Sequence, residues 1–234
     1  MAQWARRSEQ AGFSSLATID RLNYPNYESL VALSAAAAGT ERIRLATTVL
    51  LAPLRISTPL FAKQAATLDN ISGGRLRLGL AVGQREDDYR ALGLDFGSRG
   101  EIFDEQLAEL RALWDGRGGD GLDRFGPRPF REGGPELMIG GSVGASFRRA
   151  ARYASGWIMG GGTPDQLREG VAQPGSARGR RRAAPVARAS RPSPTTRSVR
   201  TPRRPPTATS TTTTDGSARS PTRSPPAWRP TRRL

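Results

Sequence analysis

The stretch TPLFAKQAATLDNISGGRLRLGL, residues 58–80, carries one full passage from helix to strand. Thr58 can accept a hydrogen bond from the free N–H groups of a first turn, and Pro59, with no N–H of its own, suits the first helical position. Phe61, Ala65 and Leu68 then share one face of the predicted helix. Gly73 closes it, and residues 76–80 read as a strand. A helix that hands over to a strand within a few residues is half of a repeating unit, so the same alternation is expected on both sides.

Upstream, residues 3–11 read as a helix closed by Gly12, 15–19 as a strand, 27–38 as a helix up to Gly39, and 43–50 as the strongest strand. Downstream, Phe103, Leu107, Leu110 and Trp114 form an apolar stripe on a helix running from about Glu101. A Gly/Pro-rich excursion over residues 116–135 leads to a strand at 137–139. Gly140 and Gly141 turn the chain into a helix with Phe147, Ala150, Ala151 and Ala154 on one face, and 157–159 form a further strand. Five strands, each leading towards a helix, predict an α/β fold with a parallel sheet. Thr163, Pro164, Asp165 and Gln166 announce one more helix with the makings of a capping box, but apolar periodicity stops after Leu167 and Val171.

The 234 residues hold 36 basic and 21 acidic side chains, a net charge of +15 that is unevenly spread. Residues 1–170 contain 21 basic and 20 acidic groups, whereas 171–234 contain 15 arginines and the single acid Asp215. That tail also holds 11 of the 18 prolines, and beyond alanine its only apolar side chains are Val171, Val186, Val199, Trp228 and Leu234. So few cannot offset an ordering cost of about 1–2 kcal/mol per residue, and a disordered tail is expected. Two accounts fit it. One is a reading-frame change near codon 171, since composition switches inside a properly initiated helix. The other is an Arg-rich tail that binds nucleic acid through phosphates without sequence preference, although Trp228 alone offers base stacking.

The chain has no cysteine and no histidine. That excludes disulfides, a thiolate nucleophile, Cys-based metal centres and an imidazole base; no metal site is expected. No apolar run reaches the roughly 18 residues of a membrane span, and the start MAQWARRSEQ lacks a signal peptide's apolar core, so a soluble, cytoplasmic protein without a membrane partner is expected. A Rossmann domain would suit the alternation, but no G-x-G-x-x-G follows the first visible strand.

Residues 62–76 (AKQAATLDNISGGRL), with Glu41-Arg42-Ile43-Arg44-Leu45 before them and Leu78-Gly79-Leu80 after, resemble the bacterial luciferase-like flavin-dependent oxidoreductases. Met138-Ile139-Gly140-Gly141-Ser142, Ala150-Ala151-Arg152 and Gly156-Trp157 fit the same family in the same order. This group, the luciferase-like monooxygenases, includes FMN monooxygenases and enzymes using the deazaflavin coenzyme F-420. The resemblance covers about residues 3–170 and implies an incomplete (β/α)8 TIM barrel, its five visible strands being numbers two to six. The first strand is expected before Gln3, and the seventh and eighth where the Arg/Pro/Thr-rich tail runs. Such an open barrel exposes edges and is expected to aggregate and to bind flavin poorly.

The resemblance also implies site residues. Asp20 stands at a strand end as a catalytic, ring-edge or substrate-facing group; from the residues alone it could equally cap the loop 21–26. Related deazaflavin enzymes often place a histidine next, where this chain has Arg21. Thr48 and Val49 fall where the family has a bulge, often with a non-proline cis peptide, that backs the ring. Gly83, after the strand at 76–80, and the turn Gly140, Gly141 and Ser142 read as cofactor-binding, the turn as a phosphate cradle at a helix start. Ala81 replaces a glycine common in relatives, which reduces clearance. Glu86, Asp87 and Asp88 read as a solvated cluster complementing a helix start. The implied activity is hydride transfer or oxygen activation on a small organic substrate using FMN or F-420, with a homodimer as candidate assembly. Nucleic-acid binding through the tail and an inactive, truncated family member are the alternatives.

Overall fold

The structure, a computed structural model, describes residues 1–119 and 121–173. Its elements alternate as α1 (Ala2–Gln10), β1 (Ser15–Thr18), α2 (Ser29–Ala38), β2 (Arg44–Leu51), α3 (Thr58–Ile71), β3 (Leu76–Ala81), α4 (Glu86–Arg90), α5 (Arg99–Trp114), β4 (Glu136–Gly140), α6 (Gly144–Tyr153), β5 (Gly156–Ile158) and α7 (Pro164–Ala172). The strands lie side by side in sequence order and every neighbouring pair is parallel. Sequential parallel strands with intervening helices are the pattern of a (β/α)8 barrel, here a partial one with five strands among the described residues.

Strand alternation decides what each face carries. Leu45, Leu76, Leu78, Leu80, Leu137 and Ile139 are fully buried against Phe61, Ala65 and Leu68 of α3 and Phe103, Leu107, Leu110 and Trp114 of α5. The intervening positions, Met138 apart, are small or charged: Ala46, Arg77, Gly79, Ala81, Glu136 and Gly140. Arg77 and Glu136 pair across β3 and β4 at 2.9 Å. A Cβ at Gly79 would lie 2.1 Å from the Thr47 carbonyl oxygen and 2.7 Å from Ile158 Cδ1, so only glycine fits there.

Ser57 rather than Thr58 caps α3. Its hydroxyl accepts from the Leu60 N–H at 3.3 Å, and Thr58 and Pro59 are the first two helical residues. Ser57 has the extended backbone that a cap requires, which shifts the start by one. Thr163 and Gln166 close the expected capping box, and α7 continues to Ala172. The expectations of disorder, a frame change and nucleic-acid binding concern a tail that, from residue 174 on, lies outside the described residues.

The block 58–80 also docks the excursion. Fully buried Asp69 accepts the Arg131 N–H at 3.2 Å through Oδ2, while its buried Oδ1 has no partner. Asn70 Nδ2 donates to the Arg128 carbonyl at 2.6 Å, and Arg131 Nη2 to that of Gly74 at 2.5 Å. The Phe130 ring covers Gly74, where a Cβ would be 2.6 Å from its edge. Burial pushes the Asp69 carboxyl above its ordinary value, against the opposing pull of the Arg131 backbone and charge. A carboxyl raised in this way contributes stability that is fully present below its unfolded pKa and lost as pH rises through the folded one. We therefore expect Asp69→Asn to show a smaller fall in Tm between about pH 4 and about pH 8 than the parent. Superimposable pH profiles would show that the carboxyl titrates alike in both states.

Candidate functional site

Parallel strands place their C-terminal ends on one side, here Thr18, Leu51, Ala81, Gly140 and Ile158. Two cavities open there. One of about 270 Å3 is lined by Asp20, Arg21, Glu28, Leu54, Arg55 and Leu92 among others. Another, of about 290 Å3, is lined by Ser142, Phe147, Trp157, Met159, Gln166 and Glu169 among others.

Asp20 is 7% exposed and its carboxylate is fully engaged. Oδ2 accepts from the Leu51 N–H at 2.9 Å, and Oδ1 from Arg55 Nη2 at 2.9 Å and Ser29 Oγ at 3.4 Å. Arg55 Nη2 also reaches Glu28 Oε1 at 3.0 Å. Asp20 therefore ties β1 to the end of β2 and to α2. It does not cap the loop 21–26, which was the alternative reading.

That loop is held by Asp88 instead. The Asp88 side chain is completely buried; Oδ1 accepts the N–H groups of Leu22 and Asn23, both at 3.0 Å, and Oδ2 receives Arg21 Nε at 2.6 Å. Arg21 Nη2 also meets Asp87 at 3.1 Å. The expectation of a solvated acidic cluster thus fails for Asp88, because the loop after β1 folds over it and supplies donors for both oxygens. Among the described residues no group of acidic side chains is arranged to hold a metal ion. Tyr89, also fully buried, donates to the Val82 carbonyl, and burial pushes its phenol up to about 12, so it remains a donor. Leu51, Leu54 and Tyr89 form a second core with Leu92, Leu94 and Phe96, which covers the ends of β2 and β3.

The peptide bond Thr48-Val49 is cis, and the β2–β3 register shifts between Thr47 and Leu50, as a bulge requires. Val49, Ala81 and Gly140 meet on the small-residue face: a Cβ at Gly140 would lie 2.9 Å from Val49 Cγ1 and 3.2 Å from Ala81 Cβ. Thr48 is exposed beside them. Gly83 has φ 76° and backs onto Leu51, away from this group. At the turn, Gly141 adopts φ 128° and its N–H is taken by the Ile158 carbonyl at 3.3 Å. Helix α6 starts only at Gly144 and no side chain caps it, so its first-turn N–H groups, rather than that of Gly141, are the donors on offer. Thr48, Val49 and Gly140 thus come together, Gly141 and Ser142 continue towards α6, and Asp20 and Gly83 lie around the end of β2.

The luciferase-like monooxygenase profile matches residues 1–200. The chain belongs to the luciferase-like monooxygenase family. The match reaches beyond Gly170, where the composition changes. An uncharacterised protein of Mycobacterium tuberculosis is 32% identical over 191 residues, which is 70% of this chain and 66% of that protein. Monooxygenase RslO1 from Streptomyces bottropensis superposes with TM-score 0.66 at 26% identity, covering 76% of this chain and 59% of its own. Two more distant structures share the fold of this family member. They are a coenzyme F-420 dependent tetrahydromethanopterin reductase from Methanopyrus kandleri (TM-score 0.61, 20% identity, 73% and 56% covered) and an oxygenating component of 3,6-diketocamphane monooxygenase from Pseudomonas putida in complex with FMN (TM-score 0.55, 18%, 66% and 50%). This luciferase-like chain therefore spans just under two thirds of the first of these relatives and a little over half of the most similar of these structures. Among its described residues no helix is long and apolar enough to cross a membrane.

Residue reasoning missed Arg55, Asp88 and Tyr89. The pairing of Arg21 with Asp88 spans 67 positions and has no local signal. Asp88 stands in the charged run Arg85-Glu86-Asp87-Asp88, so nothing beside it in the sequence signals its burial.

Proposed function

We propose that the chain provides the cofactor-binding face of a flavin- or deazaflavin-dependent oxidoreductase acting on a small organic substrate. The observation that carries this reading is the layer of Val49, Ala81 and Gly140, which meet at neighbouring strand ends on the face where the ring is proposed to lie. When bound, FMN or F-420 supplies the redox-active ring, and FMN also the means of activating oxygen. In this reading Thr48 and Val49 back the ring, and Gly140, Gly141 and Ser142 lead its phosphate to the first turn of α6, whose N–H groups and dipole favour an anion. Gly83 supports the arrangement through Leu51, and Asp20 through Leu51 and Arg55, so Asp20 enters as a positioning residue. Leu54, Leu92 and the rest of the second core keep water from the outer edge of the site.

Among the described residues the small-residue face is open on one side, so low affinity is expected. Dialysed protein should carry no yellow cofactor, whereas titration with FMN or F-420 should give saturable quenching of cofactor fluorescence. Gly140→Val, which fills the face between Val49 and Ala81, should abolish that quenching. Quenching that never saturates, or that survives Gly140→Val, would refute the reading.

A further inference from the structure

Apart from Ser142, the groups around the cavity of about 290 Å3 beside the ends of β4 and β5 take no part in the cofactor face. Its lining is aromatic and acidic. Phe147 of α6 and Trp157 of β5 stand with ring centroids 5.3 Å apart and planes inclined at 42°, and the thioether of Met159 lines the same space. The indole is fixed at two points. Its Nε1 donates to the Gly141 carbonyl, and α7 lies directly on the ring at Gly170, where a Cβ would stand 2.4 Å from Trp157 Cη2. Helix α7 also brings Gln166, whose Oε1 is taken by the Thr163 N–H at 2.9 Å, and Glu169. Glu169 is exposed and, among the described residues, makes no ion pair and no hydrogen bond. No basic side chain lines this cavity, whereas Arg21 and Arg55 line the one beside Asp20, and Arg128 and Arg131 the one beside Trp114. In a chain of net charge +15 this cavity therefore carries the opposite sign.

We propose that this cavity binds an organic ammonium ion, a quaternary or methylated amine, whose charge is met by the Glu169 carboxylate and by the Phe147 and Trp157 rings. Such an ion combines a positive charge with apolar methyl surface. Aromatic rings attract the charge through their quadrupole and at the same time cover the methyl groups, and the polarizable sulfur of Met159 adds to the same apolar wall. A hard inorganic cation would need a shell of oxygens, which one carboxylate and one amide do not supply. Anions are turned away by Glu169, since no guanidinium offsets it. An uncharged ligand of the same shape gains only the burial. The site stands apart from the cofactor face, and its ligand binds whether or not a flavin is present.

The test titrates the full chain, free of flavin, with choline and with neopentylcarbinol, the uncharged alcohol of the same shape with carbon in place of nitrogen, and follows both by saturation-transfer NMR. The parent is expected to bind choline about tenfold more tightly than the alcohol, the scale of one carboxylate and one ring pair acting on a partly desolvated cation. Glu169→Gln, at an exposed position where folding is not at stake, should lose most of that preference and leave the affinity for the alcohol unchanged. Phe147→Leu keeps an apolar wall without the ring and should weaken choline more than the alcohol. Raising the salt concentration should erode the preference in the parent and hardly at all in Glu169→Gln. Equal affinity of the parent for the two ligands, a preference that survives Glu169→Gln, or no binding of choline overturns the inference and leaves the cofactor face as it was. Displacement of choline by FMN overturns it too, by assigning the cavity to the cofactor. Binding of choline to a chain that takes up no FMN overturns the cofactor face and supports the cavity.

Discussion

Asp88→Ala is expected to lower folding stability by about 3 kcal/mol, because it strips a buried charge pair of one partner. The Asp88 side chain is wholly buried and serves three donors at once: Arg21 Nε and the N–H groups of Leu22 and Asn23. Without it, Arg21 keeps only Asp87, and two backbone donors lose their acceptor. Breaking such a pair commonly costs about 3–5 kcal/mol, and the 20% exposure of the Arg21 side chain places this one at the lower end. Arg21→Met/Asp88→Leu should recover part of the loss, since an apolar pair leaves no stranded charge. Urea denaturation measures both, and hydrogen exchange at Leu22 and Asn23 should rise in Asp88→Ala before global unfolding. A loss below about 1 kcal/mol would mean that water replaces the carboxylate, as at an exposed pair.

Gly79→Ala should be comparably severe, at about 3 kcal/mol or more, because the added methyl meets backbone as well as a side chain. Its Cβ would stand 2.1 Å from the Thr47 carbonyl oxygen, where the β2–β3 register shifts, and 2.7 Å from Ile158 Cδ1. Ile158 can rotate away; the Thr47 carbonyl can retreat only by opening the β2–β3 pairing. The variant should therefore appear mostly insoluble, with residual soluble material melting early. Gly160→Ala, where a Cβ meets nothing within 4 Å, should stay within about 0.5 kcal/mol of the parent and serves as the matched control. Wild-type solubility of Gly79→Ala would require β3 to shift against β2.

What could be read from the residues follows the range of the forces involved. Helix and strand periodicity is local, so β1 to β5 and α5 were legible to within a residue or two, and Thr163 with Gln166 gave a capping box that exists. Ser57 and Thr58 are both good caps, and only the backbone conformation chooses between them. Asp88 reads as one of three surface acids because nothing nearby in sequence says that the loop after β1 will fold over it. Asp69 and Asn70 belong to the most recognisable block of the chain, yet their partners Arg128 and Arg131 sit some sixty positions on in a Gly/Pro-rich segment without periodicity. The cis bond at Thr48-Val49 was legible through family resemblance alone; as isolated residues they are ordinary strand formers.

The sheet order carries a further consequence. Among the described residues each strand pairs with the strands next to it in the sequence, so none of these pairings waits for a segment made much later. As such a chain leaves the ribosome, β2 finds β1 already made, β3 finds β2, and the latest strand is always the growing edge. Assembly can advance with synthesis, and loop closure at each step spans only the connection between two successive strands, the longest running from β3 through α4 and α5 to β4. A chain arrested after any unit would already hold the strands made before it in their final neighbourhood.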